Sequence, residues 1–345
     1  MSLTLHVDKA RWEKHLRSVV EAHPGVVPVA KGNGYGFGVR TLAARAAELG
    51  SDTIAVGTYE EVREAESGFG GSVMVLTPWR PFLTNAVFDD HVVHTVGRFS
   101  DLRELAARGD WPRVVLERMT SMRRHGFSAR ELRAAAEGLT AGGVIVEGVA
   151  LHLPMAGSHL AEAQRLMTDI VAAGLDTRRV FISHLTDREL ATLQASYPEY
   201  DLRPRIGTRL WLGDRGALSV RATVLDVHHV ERGDVFGYRS RTAPKAGTIL
   251  VVSGGTAHGI GMEAPASGAS LRDRAVTIAK GGMDAAGFVR SPFTIDGKQR
   301  LFAEPPHMQA SMLFLPHGAR VPAPGEEVDV RVRFTTTTFD TTTYS

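Results

Sequence analysis

The chain has no cysteine in 345 residues. That absence excludes disulfides, thiolate metal sites and any cysteine acid, base or nucleophile supplied by this polypeptide. Charge of one sign is not in excess either: 40 Lys and Arg stand against 38 Asp and Glu. The arginines are scattered, so no basic run offers a nucleic-acid tail and no nucleic-acid partner is expected. No apolar stretch is long enough to span a bilayer and no leader pattern is visible, which points to a cytoplasmic protein without membrane contact. Internal repeats are absent apart from an alternation of short strands and helices. With 43% hydrophobic residues, the chain has enough apolar side chains for a full core and for two domains.

Up to about Gly213, short β-branched runs alternate with helical patterns, the order expected of strand-helix units around a parallel sheet. Eight runs are legible: Val26 to Ala30, Thr53 to Gly57, Ser72 to Thr77, His91 to Val96, Arg113 to Arg118, Val146 to Leu153, Val180 to Leu185 and Leu202 to Gly207. Eight such units predict a closed (β/α)8 barrel of the TIM type over residues 1–213. Helical candidates between them include Val39 to Leu49, Thr58 to Glu66, Ser128 to Leu139 and Ala161 to Ala173. The unit at Trp79 to Asp89 is the weakest, because Pro78 and Pro81 allow only a short helix. After Gly213 the texture changes to strands with turns such as Glu231-Arg232-Gly233-Asp234, so residues 214–345 read as a β-rich C-terminal domain.

The runs end in chemistry. Lys31, Glu117, His152, His184 and Arg205 fall at or just beyond the carboxyl ends of predicted strands, the face on which such barrels build their sites. The most informative stretch is Pro28-Val29-Ala30-Lys31-Gly32-Asn33-Gly34-Tyr35-Gly36-Phe37-Gly38. A lysine beside apolar strand residues loses solvation, which favours the neutral amine and makes it nucleophilic toward a carbonyl. The glycines let backbone approach a ligand closely, and Tyr35 offers a phenolic hydroxyl. By pattern alone, a barrel loop whose lysine reaches out to water is the equal alternative.

This stretch resembles the cofactor-lysine segment of the alanine racemase family, in which an apolar strand runs into Lys-Ala-Asn-Ala-Tyr-Gly-His-Gly. Lys31, Asn33, Tyr35, Gly36 and Gly38 match, Gly32 and Gly34 replace alanines, and Phe37 replaces histidine. The resemblance implies that Lys31 carries pyridoxal 5'-phosphate as an internal aldimine and that Tyr35 holds the phosphate. It also implies that Arg205, in Arg203-Pro204-Arg205-Ile206-Gly207-Thr208, donates to the pyridine nitrogen, and that Gly207 and Thr208 present N–H groups to the phosphate. Met122-Arg123-Arg124-His125-Gly126-Phe127 is similar to the family's Gly-Met-x-Arg-Leu-Gly. On that register Arg124 lies near the cofactor's phenolic oxygen and the substrate carboxylate, and Glu117 replaces a lysine as its orienting group. Glu147 to His152 resembles the strand whose histidine packs on the pyridine ring. A small hydroxyl residue is implied after His184, with Thr186 as the choice and Ser183 as the other option.

The second domain departs from the family. Where alanine racemases carry Gly-Tyr-x-Asp-Gly, with the tyrosine as second acid/base, this chain reads Ser253-Gly254-Gly255-Thr256-Ala257-His258-Gly259. Thr256 falls at the tyrosine and His258 at the aspartate. Imidazole titrates near neutrality, so His258 is expected to be the replacement acid/base, a phosphate or carboxylate ligand being its alternative role. The resemblance thus implies a PLP-dependent amino acid racemase or epimerase acting at the α-carbon, working as a homodimer with a shared active site. A lyase or decarboxylase of the same fold, or a non-catalytic PLP-binding protein, are the alternatives. Arg205 and the absence of cysteine argue against decarboxylation. No metal is expected, since neither Pro306-His307-Met308-Gln309 nor His317-Gly318 provides a ligand set.

Overall fold

The computed structural model describes residues 2–138, 142–262 and 289–345. They form two units, one of residues Lys14–Gly213 and one that joins the segment up to Glu13 with the chain from Asp214 onward. The chain opens on β1 (Leu3–Val7), a strand of the second unit, and α1 (Lys9–Ala22). The first unit continues with β2 (Val27–Pro28), α2 (Val39–Glu48), β3 (Thr53–Val56), α3 (Val62–Glu66), β4 (Ser72–Val75), β5 (Val92–Val96), α4 (Phe99–Ala106) and β6 (Arg113–Arg118). It ends with α5 (Ala129–Gly138), β7 (Ile145–His152), α6 (Leu160–Ala173), β8 (Arg179–Ser183), α7 (Asp187–Ser196), β9 (Asp201–Ile206) and α8 (Thr208–Leu212).

All eight strands of this unit pair in parallel in the order β2-β9-β8-β7-β6-β5-β4-β3, and a bridge from Val29 to Ala55 closes the ring. It is a (β/α)8 barrel. Strands covered on both faces can be apolar throughout, and β3 and β5 are buried at every residue. Val27, Val29, Ala55, Met74, Val93, Val115, Ala150 and Phe181 fill the interior, small residues beside large ones. Between β4 and β5 the chain makes no helix, where a short one was expected at Trp79 to Asp89: Pro78 and Pro81 leave no helical turn there.

The second unit contains β10 (Leu218–Val230), β11 (Val235–Phe236), β12 (Arg241–Thr242), β13 (Gly247–Ser253), β14 (Arg290–Ile295), β15 (Lys298–Phe302), β16 (Ala310–Pro316), β17 (Glu327–Val330) and β18 (Thr341–Tyr344). Antiparallel pairing runs β13-β16-β15-β14-β17-β10, and β10 returns to β13, which closes a second, antiparallel barrel. Here burial alternates, as in β16 and β17, because only one face is covered.

The expected division at residue 213 omits one feature. β1 pairs with β10 and β18, so the amino-terminal segment lies with the second unit and not with residues 14–213. The threonine-rich end likewise forms a paired strand, Thr341 to Tyr344 lying parallel to Thr4 to Val7. Among the described residues no helix is long and apolar enough to cross a membrane.

Candidate functional site

Lys31 lies just past β2, two residues after Val29, whose bridge to Ala55 closes the ring. The glycine-rich turn behind it is a tight coil in which the Gly34 N–H donates to the Lys31 carbonyl and Tyr35 adopts the left-handed region at φ 53°. A Cβ at Gly34 would meet the Val39 nitrogen at 2.6 Å, so this position admits only glycine without backbone movement. Glu61 fastens both sides of the lysine: its carboxylate accepts from Gly32 N–H at 2.8 Å and from Gly57 N–H at 2.6 Å. Burial pushes the Lys31 ammonium pKa down, the charges of Arg124 and Arg205 add to this, and Glu61 opposes it. The amine is thereby biased toward its nucleophilic form.

Tyr35 is buried and its hydroxyl is hydrogen-bonded to the Thr208 side chain. A Cβ at Gly207 would overlap the Tyr35 hydroxyl oxygen, so glycine at 207 is what lets the phenol reach the start of α8. Tyr35, Gly207 and Thr208 therefore form one polar cradle at the carboxyl ends of β2 and β9.

Arg205 is buried on β9, where it donates from Nε to Ser183 Oγ and from Nη2 to the Leu151 carbonyl, both at 3.2 Å. Burial pushes its pKa down to about 10, helped by Arg124 and opposed by Glu117, which leaves it a cation at neutral pH. Glu117 on β6 is buried with one carboxylate oxygen, Oε2, lacking any hydrogen-bond partner. Its pKa is raised by burial against the pull of Arg205, Arg124 and Arg80. His152 ends β7 with its ring 5.0 Å from that of His184, whose Nδ1 donates to the Leu153 carbonyl at 2.7 Å. Burial, then Arg205, Arg124, His184 and Lys31, push His152 down to about 3, so its imidazole is neutral. Arg124, itself exposed, acts electrostatically on Lys31, Glu117, His152 and Arg205. A weakened amine, cations, a neutral imidazole and a hydroxyl cradle thus share one face of the barrel.

A model of the alanine racemase N-terminal domain matches residues 7–195, more than half of the chain. The chain belongs to the alanine racemase family. The alanine racemase of Nitratidesulfovibrio vulgaris (strain DP4) is 29% identical over 255 residues, covering 67% of this chain and 68% of that protein. That of Mycolicibacterium vanbaalenii is 28% identical over 278 residues, covering 71% and 70%. The alanine racemase of Bartonella henselae, solved with covalently bound pyridoxal phosphate, matches the whole of both chains with a TM-score of 0.74 at 15% identity, a likeness of fold.

Two expected site residues of this family member have other work in the structure. Thr186 is the N-cap of α7: its hydroxyl donates to Glu189 Oε2 and accepts from the Glu189 N–H, a full capping box. The other Glu189 oxygen accepts from Ser158 Oγ and the His159 N–H, and together these bonds hold its carboxyl near 2. Ser183, not Thr186, is the hydroxyl joined to Arg205. Thr186→Ala should therefore destabilise the protein by about 1 kcal/mol in urea denaturation, the usual worth of an N-cap, without changing phosphate-ester affinity. A lost affinity in a variant of unchanged stability would return Thr186 to the site.

His258 is the second of these residues. It is buried in the second unit, its Nδ1 accepts from the Gly255 N–H at 3.2 Å, and its Nε2 donates to Asp340 Oδ1 at 3.0 Å. Asp340 is fixed in turn by the Leu3 N–H. With both ring nitrogens engaged, His258 links the Gly254 to Gly261 turn to the chain end. The resemblance also puts the substrate entrance in second-domain loops at Gly255 to Gly268 and Phe288 to Met312, which lie partly outside the described residues. Sequence reasoning missed Glu61, whose only signal is its place in Gly57-Thr58-Tyr59-Glu60-Glu61, at the first turn after a strand.

Proposed function

We propose that the protein is a pyridoxal phosphate-dependent racemase that inverts the α-carbon of a small amino acid. The observation that carries this reading is the barrel-end cluster in which a lysine of depressed pKa faces Arg205 and Arg124 beside the Tyr35–Gly207–Thr208 cradle. The fit to the cofactor is chemical. A neutral-biased amine suits an aldehyde, the cradle suits a phosphate, and the unpartnered Glu117 oxygen shows that this end of the barrel carries polar groups without partners. When bound, the cofactor withdraws electrons from the α-carbon and so acidifies its C–H bond. Lys31 moves the proton on one face. Arg205, a fixed cation, would be the residue that holds the ring nitrogen, and as a donor that does not give up its proton it would temper that withdrawal and limit side reactions. Neutral His152 would support the ring without adding charge, and Arg124 would orient the substrate carboxylate.

A homodimer is part of this proposal, the second unit of one copy serving the barrel of the other. Lyase or decarboxylase chemistry gains nothing from Arg205, because those reactions profit from a protonated ring nitrogen. The test is reduction of the purified protein with borohydride followed by peptide mapping. A pyridoxyl adduct is expected on the peptide holding Lys31, and an adduct elsewhere, or none, overturns the reading.

Arg205 gives a second check. In Arg205→Glu the new carboxyl stands beside Glu117, whose own acid is already weakened by burial, so one of the two holds a proton and can donate it to the ring nitrogen. A long-wavelength absorbance band should then develop with alanine, side reactions should rise, and stability should fall by about 3 kcal/mol as Glu117 loses a facing cation. An unchanged spectrum in a folded, loaded variant contradicts the role.

A further inference from the structure

Inversion at a planar carbon needs an acid/base on each face, and Lys31 supplies only one. Thr256, at the position of the family tyrosine, bears a hydroxyl too weakly acidic for the task, and His258 is fully bonded. Thr256 is nevertheless exposed, and it lines an open cleft of about 790 Å³ in the second unit together with Tyr238, Arg239, Glu304, His307 and Gln309. Three backbone bonds set the two walls of that cleft: Gly254 N–H to the Gln309 carbonyl, Thr256 N–H to that of His307 and Ala257 N–H to that of Met308. They extend the β13–β16 pairing past Ser253 and Ala310, so His307 is placed beside Thr256 by the sheet itself.

His307 is built like a base. Its Nε2 donates to Glu304 Oε1 at 2.6 Å, a charge-assisted bond in which the carboxylate is 2% exposed and the imidazole 29%. Glu304 is held from behind by the Tyr238 N–H, and Gly237 packs so closely on its carboxylate that a Cβ there would overlap it. The Tyr238 ring lies over the imidazole with centroids 4.5 Å apart. A carboxylate that accepts from one ring nitrogen fixes the tautomer and leaves the other, Nδ1, with its lone pair, which is the arrangement that orients an imidazole for proton transfer.

We infer that His307, positioned by Glu304, is the acid/base that replaces the tyrosine and acts on the face of the α-carbon opposite Lys31, in the barrel of a partner copy. The inference rests on the racemase reading. In one direction the α C–H bond breaks, the proton goes to His307 Nδ1 and Lys31 delivers a proton to the other face. The reverse direction exchanges the roles, so one proton leaves and one arrives per turnover. Glu304 is a positioning residue and touches no reacting atom.

The experiment uses holoenzyme in deuterium oxide with L-alanine and D-alanine as probes, read by chiral chromatography and mass. His307→Gln keeps a donor for Glu304 but removes the base. It should retain cofactor loading, melting temperature and deuterium exchange on the Lys31 face, while interconversion falls by about 10²-fold or more. Glu304→Gln should lower kcat about tenfold with KM unchanged, a loss of orientation and not of binding. Independently of turnover, nitrogen NMR of labelled protein should show His307 as the Nε2–H tautomer, and this preference should vanish in Glu304→Gln. Normal interconversion by His307→Gln, or an Nδ1–H tautomer in the wild type, overturns the assignment of His307. Wild-type protein that neither exchanges nor interconverts any amino acid overturns the racemase reading itself.

Discussion

Lys31→Ala abolishes both turnover and the borohydride-stable adduct, and it does so in a protein at least as stable as cofactor-free wild type. The first half of that expected result follows from chemistry. One substitution removes the amine that captures the aldehyde and an acid/base of the kind that alone contributes about 10²–10⁴, so a loss of 10³-fold or more is expected. The second half follows from electrostatics. Burial and two arginines push the lysine's pKa down in the folded state, so at neutral pH folding must bring an ammonium into a place that disfavours it. Alanine removes that penalty, which solvent screening keeps small because Lys31 is itself exposed, so stability should be unchanged or slightly raised. Lys31→Arg separates the two effects: it keeps the cation against Arg124 and Arg205, and should be both inactive and less stable than Lys31→Ala. The measurements are alanine interconversion, reductive trapping and urea denaturation of the cofactor-free proteins. Residual turnover in Lys31→Ala within tenfold of wild type would remove Lys31 from the reaction.

How much of this was legible differs by element, for physical reasons. The eight barrel strands could be read because parallel strands covered on both faces are continuous apolar runs, as in Thr53–Val56 and Val92–Val96. β1 could not, since Leu-Thr-Leu-His-Val gains its strand character from β10 and β18, whose sequence is more than two hundred residues away. The cluster around Lys31 was visible through strand ends, where position along a run already fixes the face of the barrel. Thr186 carried a signal that was overlooked: Thr186 followed three residues later by Glu189 is the capping-box pattern, and it assigns the hydroxyl to the helix start. His258 carried none. A histidine in a glycine-rich turn looks free until Asp340, 82 positions later, is seen to bond it. The Glu304–His307 pair had the opposite fault, since an (i, i+3) Glu and His gain meaning only when one is buried and the other opens on a cleft.

Acid should destabilise the cofactor-free protein well before carboxylate titration would explain it. His94 is buried on β5 with Nδ1 accepting from the Tyr59 hydroxyl at 2.7 Å, and burial followed by Arg108 pushes it down to about 4 from 6.5. Burial of Tyr59 raises its own pKa, so the phenol remains the donor and the imidazole the acceptor. His152 is pushed from 6.5 to about 3 by burial and by Arg205 and Arg124. Between the unfolded and folded values the unfolded chain binds protons that the native protein does not, so stability is present above about pH 6.5 and is lost as pH falls toward about 4 and about 3. At about 1.4 kcal/mol per pKa unit, His94 contributes on the order of 3 kcal/mol, and His152, part-exposed and so better screened, somewhat less. Asp52, Asp110, Asp187 and Glu189 also have lowered pKa values and add the same sign, but only below their ordinary range near pH 4. Urea denaturation at pH 7, 5.5 and 4.5 should therefore show a fall in wild type that is reduced in His94→Gln, whose amide can still accept from Tyr59, and reduced further in the double variant with His152→Asn. Equal pH slopes for wild type and double variant would mean that these imidazoles are protonated in the folded state, and the neutral ring assigned to His152 beside Arg205 would have to be abandoned.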